Sequence, residues 1–368
     1  MSKKKIKILF IMNAPAPIWV EYSKIISNYF ECYFIFYSTC KELGRPEWWD
    51  MELPNNMCVV RDGVFRRNHK FIDVNIIKRV KGFSPNVVYT SGFNLLMSPF
   101  LYYYCKFNSI KFIYLTEIWR KKGGTPRKYL STLLGLFYSN IDIFYVSGRE
   151  GRKYWENYIS KKTNIKNLEI PGNVDKYINH PVRVSKQDAM LFFGHRLIDI
   201  YNPLLALDIL TSVQRYYPDM GMYMNACGNL RCIVDEYIVK KSIKNVEFII
   251  VDSESDLDFY YSNGDISITP AKYSYGNIGT NEAMASGMPI LISNNVKYHS
   301  EQISMLKNGF ILPMDVDSFS EKIVDYIKSK DLLSSHSIRS KNIIKYLGTE
   351  VVFEKFKSEV DALFKVKK

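Results

Sequence analysis

Short runs of apolar residues alternate with amphipathic stretches along the whole chain. In the first half the apolar runs lie at 6–12, 32–37, 86–90, 111–115 and 142–146. The pattern restarts at 189–193 and continues at 222–226, 246–251, 265–269 and 289–292. Short apolar strands that alternate with helices of about 10–15 residues are typical of βαβ units and a parallel sheet. The pattern predicts an α/β protein with two similar halves.

The segment between the two halves is polar and interrupted by prolines, which is typical of an interdomain linker. The tail carries three helical stretches, and in the last of them Phe353, Phe356, Val360 and Leu363 recur at spacings of 3, 4 and 3. The predicted organisation is a basic first domain over 1–171, a linker over 172–188, a second domain over 189–345 and a C-terminal helix over 346–368.

Length and composition are those of a packed globular protein, with 368 residues of which 47% are hydrophobic. The most apolar stretch, 93–105, is about 13 residues long, whereas a membrane-spanning helix needs about 20. The six cysteines form no CxxC pair and are expected to be buried free thiols in a reducing compartment. These features predict a cytoplasmic location.

Positive charge is concentrated in the first half of the chain. Residues 1–170 contain 27 Lys and Arg against 13 Asp and Glu, a net charge of +14, while residues 171–368 carry a net charge of −1. Such a balance suits a nucleic acid, an acidic lipid surface or a phosphorylated acceptor, and a simply solvated basic face is the alternative. No recognition helix or RNA-binding signature accompanies the charge.

A basic amphipathic stretch stands out at 121–137. Lys121, Lys122, Arg127 and Lys128 precede an apolar series that includes Leu130 and Phe137. Stretches of this type lie on anionic membranes, although packing on the protein's own sheet is equally open. Further basic residues that could join such a surface are Arg66, Arg67, Lys70, Lys78, Arg79 and Lys81.

The segment 264–294 carries the clearest chemistry. A predicted strand runs into a loop with Gly276 and Gly279, and a helix opens near Thr280. Glycines allow close backbone approach, and the free amides at a helix start favour phosphate. Glu282, in the first turn, could accept hydrogen bonds from two sugar hydroxyls. An ordinary strand–turn–helix with a capping acid is the alternative.

This segment resembles the donor-binding segment of nucleotide-sugar glycosyltransferases of the GT-B fold, particularly glycosyltransferase family four. The residues PGNVD at 171–175, FGHR at 193–196, ACGN at 226–229 and DIFYVSG at 142–148 resemble further segments of that family. The resemblance implies two Rossmann-like parallel-sheet domains facing a cleft, with the C-terminal helices packed back toward the first domain.

The resemblance also implies roles for residues of the second domain. Glu282 would hold the donor ribose and Arg196 the diphosphate, with Gly194 permitting close approach. The remaining candidate donor-binding residues are His195, Lys272, Gly276, and Asn277, Ile278, Gly279 and Thr280, whose backbone amides would cradle the phosphates. Enzymes of this kind generally need neither metal nor cofactor, because side chains and a helix dipole neutralise the leaving diphosphate.

Two positions depart from the family's pattern. The family carries a glutamate where this chain has Ser274, and a lysine for the diphosphate where it has Tyr201. Lys272 is a candidate for the missing positive charge.

The first domain offers fewer candidates. Glu117 follows the predicted strand at 111–115 and could act as a general base or position the donor sugar, unless it is an ordinary loop glutamate. Asn13, Ala14 and Pro15 follow the first strand and are expected to border the acceptor. His69 and His180 are expected to face solvent.

The sequence therefore predicts a glycosyltransferase that moves a sugar from a nucleotide-diphosphate sugar to a glycan or polyprenyl-diphosphate-linked acceptor, as in bacterial lipopolysaccharide or capsule synthesis. Retention of configuration and an association with the inner face of the cell membrane are further expectations. The alternatives are a nucleotide-sugar epimerase on the same fold and a non-catalytic binding protein.

Overall fold

A computed structural model of the chain describes residues 5–45, 49–67, 70–91, 97–116, 132, 135, 140–168, 172, 174–251, 254–274, 278–296, 303 and 307–365. The chain forms two compact units. Unit 1 contains Met1–Glu169 and Phe353–Lys368, and unit 2 contains Ile170–Val352.

Unit 1 is built on a seven-stranded, all-parallel sheet with the strand order β3-β2-β1-β6-β7-β8-β9. These strands are β1 (Lys7–Met12), β2 (Glu31–Phe36), β3 (Met57–Val59), β6 (Val87–Ser91), β7 (Lys111–Thr116), β8 (Ile143–Ser147) and β9 (Ile165–Leu168). Its helices include α1 (Pro17–Tyr29), α2 (Ile76–Phe83), α3 (Ser98–Phe107) and α4 (Gly148–Glu156).

Two further strands of unit 1 form a separate antiparallel hairpin, β4 (Val64–Arg67) and β5 (Lys70–Asp73). The hairpin lies between β3 and α2 in the chain and was not predicted from the sequence. Residues 68 and 69, which include His69, lie outside the described residues.

The last helix of the chain packs into the core of unit 1. Phe353, Phe356 and Val360 are buried against apolar side chains of β1, β2 and α1. Glu359 on the same helix accepts a hydrogen bond from the Tyr145 hydroxyl and forms an ion pair with Lys166 at 3.0 Å. The apolar spacing of the tail therefore marks the face that docks on the first sheet, as predicted.

Unit 2 contains a six-stranded parallel sheet in the order β12-β11-β10-β13-β14-β15. The strands are β10 (Met190–Phe193), β11 (Gly221–Asn225), β12 (Val246–Ile249), β13 (Ile266–Thr269), β14 (Ile290–Ser293) and β15 (Gly309–Leu312). The helices include α5 (Val174–Tyr177), α6 (Pro203–Gln214), α7 (Arg231–Lys241), α8 (Glu254–Asn263), α9 (Ile278–Ala285), α10 (Val316–Lys328) and α11 (Lys330–Ile344). A last helix, α12 (Thr349–Ala362), begins in unit 2 and continues into unit 1.

The polar segment that follows residue 172 is held firmly within unit 2. The buried guanidinium of Arg183 donates hydrogen bonds to the backbone carbonyls of Tyr261 and Ser262, at 2.5 and 2.6 Å. His180 lies with Nε2 3.0 Å from Oδ1 of Asp258, so the expectation that it faces solvent is wrong. Arg183 and His180 therefore hold this segment against α8 of unit 2, while Lys186, Gln187 and Asp188 are exposed.

The predicted fold class is confirmed, because both sheets are parallel and flanked by helices. Each apolar run identified in the sequence coincides with a strand to within two residues at either end. Among the described helices, none is both long and apolar enough to cross a membrane.

Candidate functional site

The strand order of unit 2 places a topological switch point between β10 and β13. From β10 the chain continues to β11 on one side, while β13 lies on the other side. In open parallel sheets, ligands bind beyond the carboxyl ends of the strands at such a point. The candidate donor residues follow these two strands, Gly194, His195 and Arg196 after β10 and Lys272 after β13.

His195 bridges the two sides of the switch point. Its side chain is buried, and Nε2 lies 2.7 Å from Oγ1 of Thr269 at the end of β13. Its ring also stacks on the ring of Tyr201, with centroids 4.8 Å apart and an interplanar angle of 19°. These contacts engage one ring nitrogen and one ring face of the imidazole, so His195 holds the loop that carries Arg196 in place.

A second turn supports this loop from the β11 side. The backbone amide of Leu197 donates to the carbonyl of Cys227 at 2.7 Å, and the amide of Leu230 donates to the carbonyl of Leu197 at 2.9 Å. Gly228 has φ +147°, and a Cβ atom there would lie 2.2 Å from the Leu197 carbonyl oxygen. Only glycine fits this contact. Burial raises the pKa of the Cys227 thiol and outweighs the opposing effect of the positive charge on nearby Arg196.

Lys272 lies at the same edge of the sheet. Its backbone amide donates to the carbonyl of Ile200 at 2.8 Å, and its ammonium group forms an ion pair with the carboxylate of Asp199. Asp199 belongs to a short 3-10 helix (Asp199–Tyr201) that follows Arg196. The loops after β10 and β13 are therefore joined at Lys272, which places a second cationic side chain at the switch point.

Helix α9 begins directly after the loop that follows β13. Gly276 and Asn277 lie outside the described residues, so their predicted phosphate contacts stay predictions. Ile278, Gly279 and Thr280 form the first turn, where backbone amides and the helix dipole favour an anion. The Thr280 side chain is buried, and Oγ1 has no hydrogen-bond partner within the part of the chain that the structure describes.

Glu282 is oriented by the buried residue Tyr261, which was not predicted from the sequence. The Tyr261 hydroxyl donates to Oε2 of Glu282 at 2.7 Å. Gly172 packs against the same turn, and a Cβ atom there would lie 3.1 Å from Cβ of Asn281. The carbonyl of Gly172 in turn accepts a hydrogen bond from the Thr349 hydroxyl at 3.2 Å. The hydrogen bond from Tyr261 therefore holds one oxygen of the Glu282 carboxylate in place.

Taken together, the described residues of this edge combine two cationic side chains, a helix start and an oriented carboxylate. Cations and helix amides bind phosphate oxygens, whereas a carboxylate accepts hydrogen bonds from hydroxyl groups. The structure thus brings together Gly194, His195, Arg196, Lys272, Ile278, Gly279, Thr280 and Glu282 on the loops and the helix next to one switch point. This chemistry suits a phosphorylated compound that also carries hydroxyl groups.

The candidate residues of unit 1 also lie at a switch point, between β1 and β6. Asn13, Ala14 and Pro15 follow β1, and the carbonyl of Asn13 accepts hydrogen bonds from the amides of Tyr37 and Ser38. Asn13 Oδ1, directly after β1, and the Thr90 hydroxyl, on the neighbouring strand β6, are buried without a hydrogen-bond partner among the described residues. Glu117 lies outside the described residues.

The comparison with protein families identifies the segment that contains most of the unit 2 site. Residues 226–345 match the model of the family "Glycosyl transferases group 1". Over these residues the chain is therefore similar to the glycosyl transferases group 1 family. The matched segment includes Lys272, α9 and Glu282, while Gly194, His195 and Arg196 precede it. No curated protein sequence matches the chain.

Solved structures match the chain over nearly its whole length. Sucrose-phosphate synthase from Thermosynechococcus elongatus aligns with a TM-score of 0.73 at 11% identity, covering 98% of this chain and 99% of that one. HepE of Anabaena, in complex with UDP and glucose, has a TM-score of 0.72 at 10% identity and covers 97% and 100%. WaaG, a glycosyltransferase involved in lipopolysaccharide biosynthesis, has 0.71 at 12% and covers 98% and 100%. The chain has the GT-B fold.

The structure gives the two departures from the family's pattern a local explanation. Tyr201 stacks on His195 and so supports the loop that follows β10. Ser274 is buried and forms an isolated parallel bridge with Val296. Both positions therefore have packing roles. Lys272 stays the candidate for the missing positive charge, and its ammonium group forms an ion pair with Asp199.

Proposed function

We propose that this protein transfers a sugar from a nucleotide-diphosphate sugar to a hydroxyl group of an acceptor. The observation that carries the proposal is the arrangement of Arg196, Lys272 and the start of α9 with Glu282 at one switch point. The family match of residues 226–345 supports glycosyl transfer as the reaction.

Each group has a defined task in this reaction. Arg196 and Lys272 bind the diphosphate together with the first-turn amides of α9, and they stabilise the negative charge that develops as the diphosphate leaves. Glu282 accepts hydrogen bonds from the ribose hydroxyls. Because protein cations and a helix dipole neutralise the leaving group, we propose a metal-independent reaction, with retention of configuration as in the family it resembles.

The acceptor side of the proposal is a glycan or a polyprenyl-diphosphate-linked glycan in the synthesis of a bacterial surface polysaccharide. The likeness to WaaG supports this acceptor class, and the bound UDP of HepE supports a nucleotide-sugar donor. The excess of positive charge in residues 1–170 suits an acceptor with phosphate groups. We place the protein at the inner face of the cell membrane.

A non-catalytic binding protein is the second candidate, because Ser274 and Tyr201 replace residues that the family uses. Such a protein would bind a nucleotide sugar without turnover. An epimerase would convert the sugar nucleotide with no acceptor present.

Thermal unfolding in the presence of UDP-, GDP-, ADP-, CMP- and dTDP-sugars tests the donor site. A ligand at one hundred times its dissociation constant stabilises the folded state by about 2.7 kcal/mol. Arg196→Ala and Glu282→Ala should each abolish most of the shift, while the exposed residues Arg215 and Glu236 provide matched controls as Arg215→Ala and Glu236→Ala. If both site variants retain the wild-type affinity, the proposed donor site is wrong.

A further inference from the structure

The β4–β5 hairpin of unit 1 is anchored through its inner face. Phe71 and Asp73 of β5 are buried, and the ring of Phe71 stacks on Tyr37 with centroids 5.7 Å apart. Asp73 Oδ2 accepts hydrogen bonds from the Tyr37 hydroxyl at 3.1 Å and from Nε of Arg79 at 2.9 Å. A buried ring and a buried, fully bonded carboxylate hold the hairpin as a rigid element.

The outer face of the same hairpin combines apolar and cationic side chains. Phe65 lies opposite Ile72 and Arg67 lies opposite Lys70, and alternation along the strands places all four on one face. Phe65 is 66% exposed and Ile72 42% exposed. Val74, the next residue on this face, is 63% exposed. We call Phe65, Arg67, Lys70, Ile72 and Val74 the hairpin face.

The composition of the hairpin face is unfavourable for an isolated protein in water. Like charges directly opposite each other on an antiparallel pair destabilise the pairing. Neighbouring exposed apolar side chains lose the stabilisation that burial would give them. The inner face already anchors the hairpin, so the fold itself requires none of these outer side chains.

We propose that the hairpin face docks on the surface of an anionic lipid bilayer. Phe65, Ile72 and Val74 enter the boundary between headgroups and acyl chains, and Arg67 and Lys70 contact lipid phosphates. Alternating apolar and basic side chains match a surface that is apolar below and negatively charged above. The inference deepens the membrane part of the proposed function and rests on it.

Charge decides against a second copy of the chain as the occupant. A two-fold symmetric contact over this face would bring Arg67 and Lys70 of both copies onto a shared interface. The net charge of +14 on residues 1–170 opposes such a contact and favours an anionic partner. Nucleic acid shares the negative charge but offers no apolar layer for Ile72 and Val74.

Vesicle flotation of the full chain tests the proposal, using phosphatidylcholine vesicles and vesicles of phosphatidylcholine mixed with phosphatidylglycerol. The charge variant R67Q/K70Q should bind the anionic vesicles on the order of tenfold to thirtyfold more weakly. Its control, K161Q/K162Q, removes two exposed cations from another part of unit 1. The apolar variant F65S/I72S has a control in Tyr216→Ser, which removes an exposed aromatic ring from unit 2.

Three results together support the proposal. The wild type binds only vesicles that contain phosphatidylglycerol, both hairpin variants lose this binding, and both controls retain it. The proposal is overturned if the wild type fails to float, if K161Q/K162Q weakens binding as much as R67Q/K70Q, or if the hairpin variants change only the oligomeric state or nucleic-acid binding. R67Q/K70Q relieves a like-charge pair and should unfold no earlier than the wild type. Nucleotide-sugar titration of the same samples separates a failure of docking from a failure of the donor site.

Discussion

The hydroxyl group of Tyr261 donates a hydrogen bond to the carboxylate of Glu282 from within the core of unit 2. The Tyr261 ring lies between the rings of Tyr177 and Phe192, with centroid distances of 4.5 and 4.9 Å. Burial, reinforced by the negative charge of Glu282, raises the pKa of Tyr261 well above its usual value of 10. Tyr261 therefore remains a protonated donor throughout the neutral range and fixes the carboxylate that we assign to the ribose.

Removal of this hydroxyl should weaken donor binding as well as the fold. Tyr261→Phe keeps the ring packing and loses one hydrogen bond to a charged group, so we expect about 1.5–3 kcal/mol less stability at most, since water can reach the partly exposed Glu282. With the carboxylate free to rotate, the dissociation constant of the nucleotide sugar should rise about tenfold with kcat little changed. Calorimetric titration and steady-state kinetics measure both quantities. The control variant Tyr260→Phe, on the neighbouring half-buried tyrosine, should change neither the affinity nor kcat. An equal loss of affinity in Tyr260→Phe, or an unchanged affinity in Tyr261→Phe, would contradict the positioning role of Tyr261.

The turn at Gly228 should be essential for the loop that carries Arg196. In Gly228→Ala the added methyl group would collide with the backbone of Leu197, and φ +147° is itself unfavourable for alanine. We expect a loss of about 1–3 kcal/mol in the free energy of unfolding and a large loss of nucleotide-sugar affinity, measured by chemical denaturation and by titration. Gly82→Ala is the matched control. It has open space around the new methyl group within α2 and should stabilise the protein by about 0.5–1 kcal/mol.

The ionisation of Glu42 should make part of the stability of unit 1 depend on acid pH. Burial opposes ionisation, but hydrogen bonds from Arg61, Thr39 and Ser38 outweigh it and lower the pKa of Glu42 from 4.5 to about 2. A carboxyl whose pKa is lower in the folded state stabilises the protein above pH 4.5, and the stabilisation is lost as the pH falls toward 2. Because the side chain is 38% exposed, solvent screening limits the effect to about 1 kcal/mol.

Glu42→Gln should accordingly be less stable than the wild type at pH 7, and the difference should vanish near pH 2. Urea denaturation at a series of pH values measures the two curves. Glu236→Gln, at an exposed position, should follow the wild type throughout. Parallel curves for Glu42→Gln and the wild type between pH 5 and 2 would show that folding does not lower the pKa of Glu42.

The cysteines should differ widely in reactivity. Burial raises the pKa of Cys32 and Cys105 to about 12 and, with the charge of Asp50, that of Cys40 to about 11, whereas Cys232 is exposed. Since the thiolate is the reacting species, Cys232 should react first with a disulfide reagent in the native protein, and the three buried thiols should react only after unfolding. Time-resolved labelling measures these phases. Cys232→Ser should remove the fast phase; a persistent fast phase would place an accessible thiol elsewhere.

Several features of the site were visible in the sequence because they depend on local pattern. The strand–loop–helix around α9 and the apolar runs of both sheets could be located from periodicity and glycines alone. Glu282, Arg196 and Gly194 were singled out by resemblance, and the structure places all three next to one switch point. The cysteines were expected to be buried, but Cys232 is exposed and Cys58 and Cys227 are only partly buried. A residue at the start of a surface helix, such as Cys232, carries no local sign of its exposure.

Contacts between segments that are distant in the chain could not be predicted from the sequence. Tyr261 looked like any aromatic residue of α8, and its role arises only because α8 and α9 pack so that its hydroxyl reaches Glu282. The β4–β5 hairpin was missed because VFRR lacks an alternating apolar pattern, although Lys70–Asp73 alternates clearly between exposed and buried positions. The role of Thr269 was hidden in the same way, since its partner His195 lies 74 residues away.

The sequence by itself determined the two parallel-sheet halves, the excess of positive charge in the first half and the docking face of the last helix. Each depends on composition or on apolar periodicity, which the chain carries locally wherever it folds. Tertiary structure alone decided which side chains share a switch point, which hydrogen bonds orient Glu282 and His195, and which face of the hairpin meets solvent. These depend on strand order and on packing between segments far apart in the chain, and no local pattern encodes them.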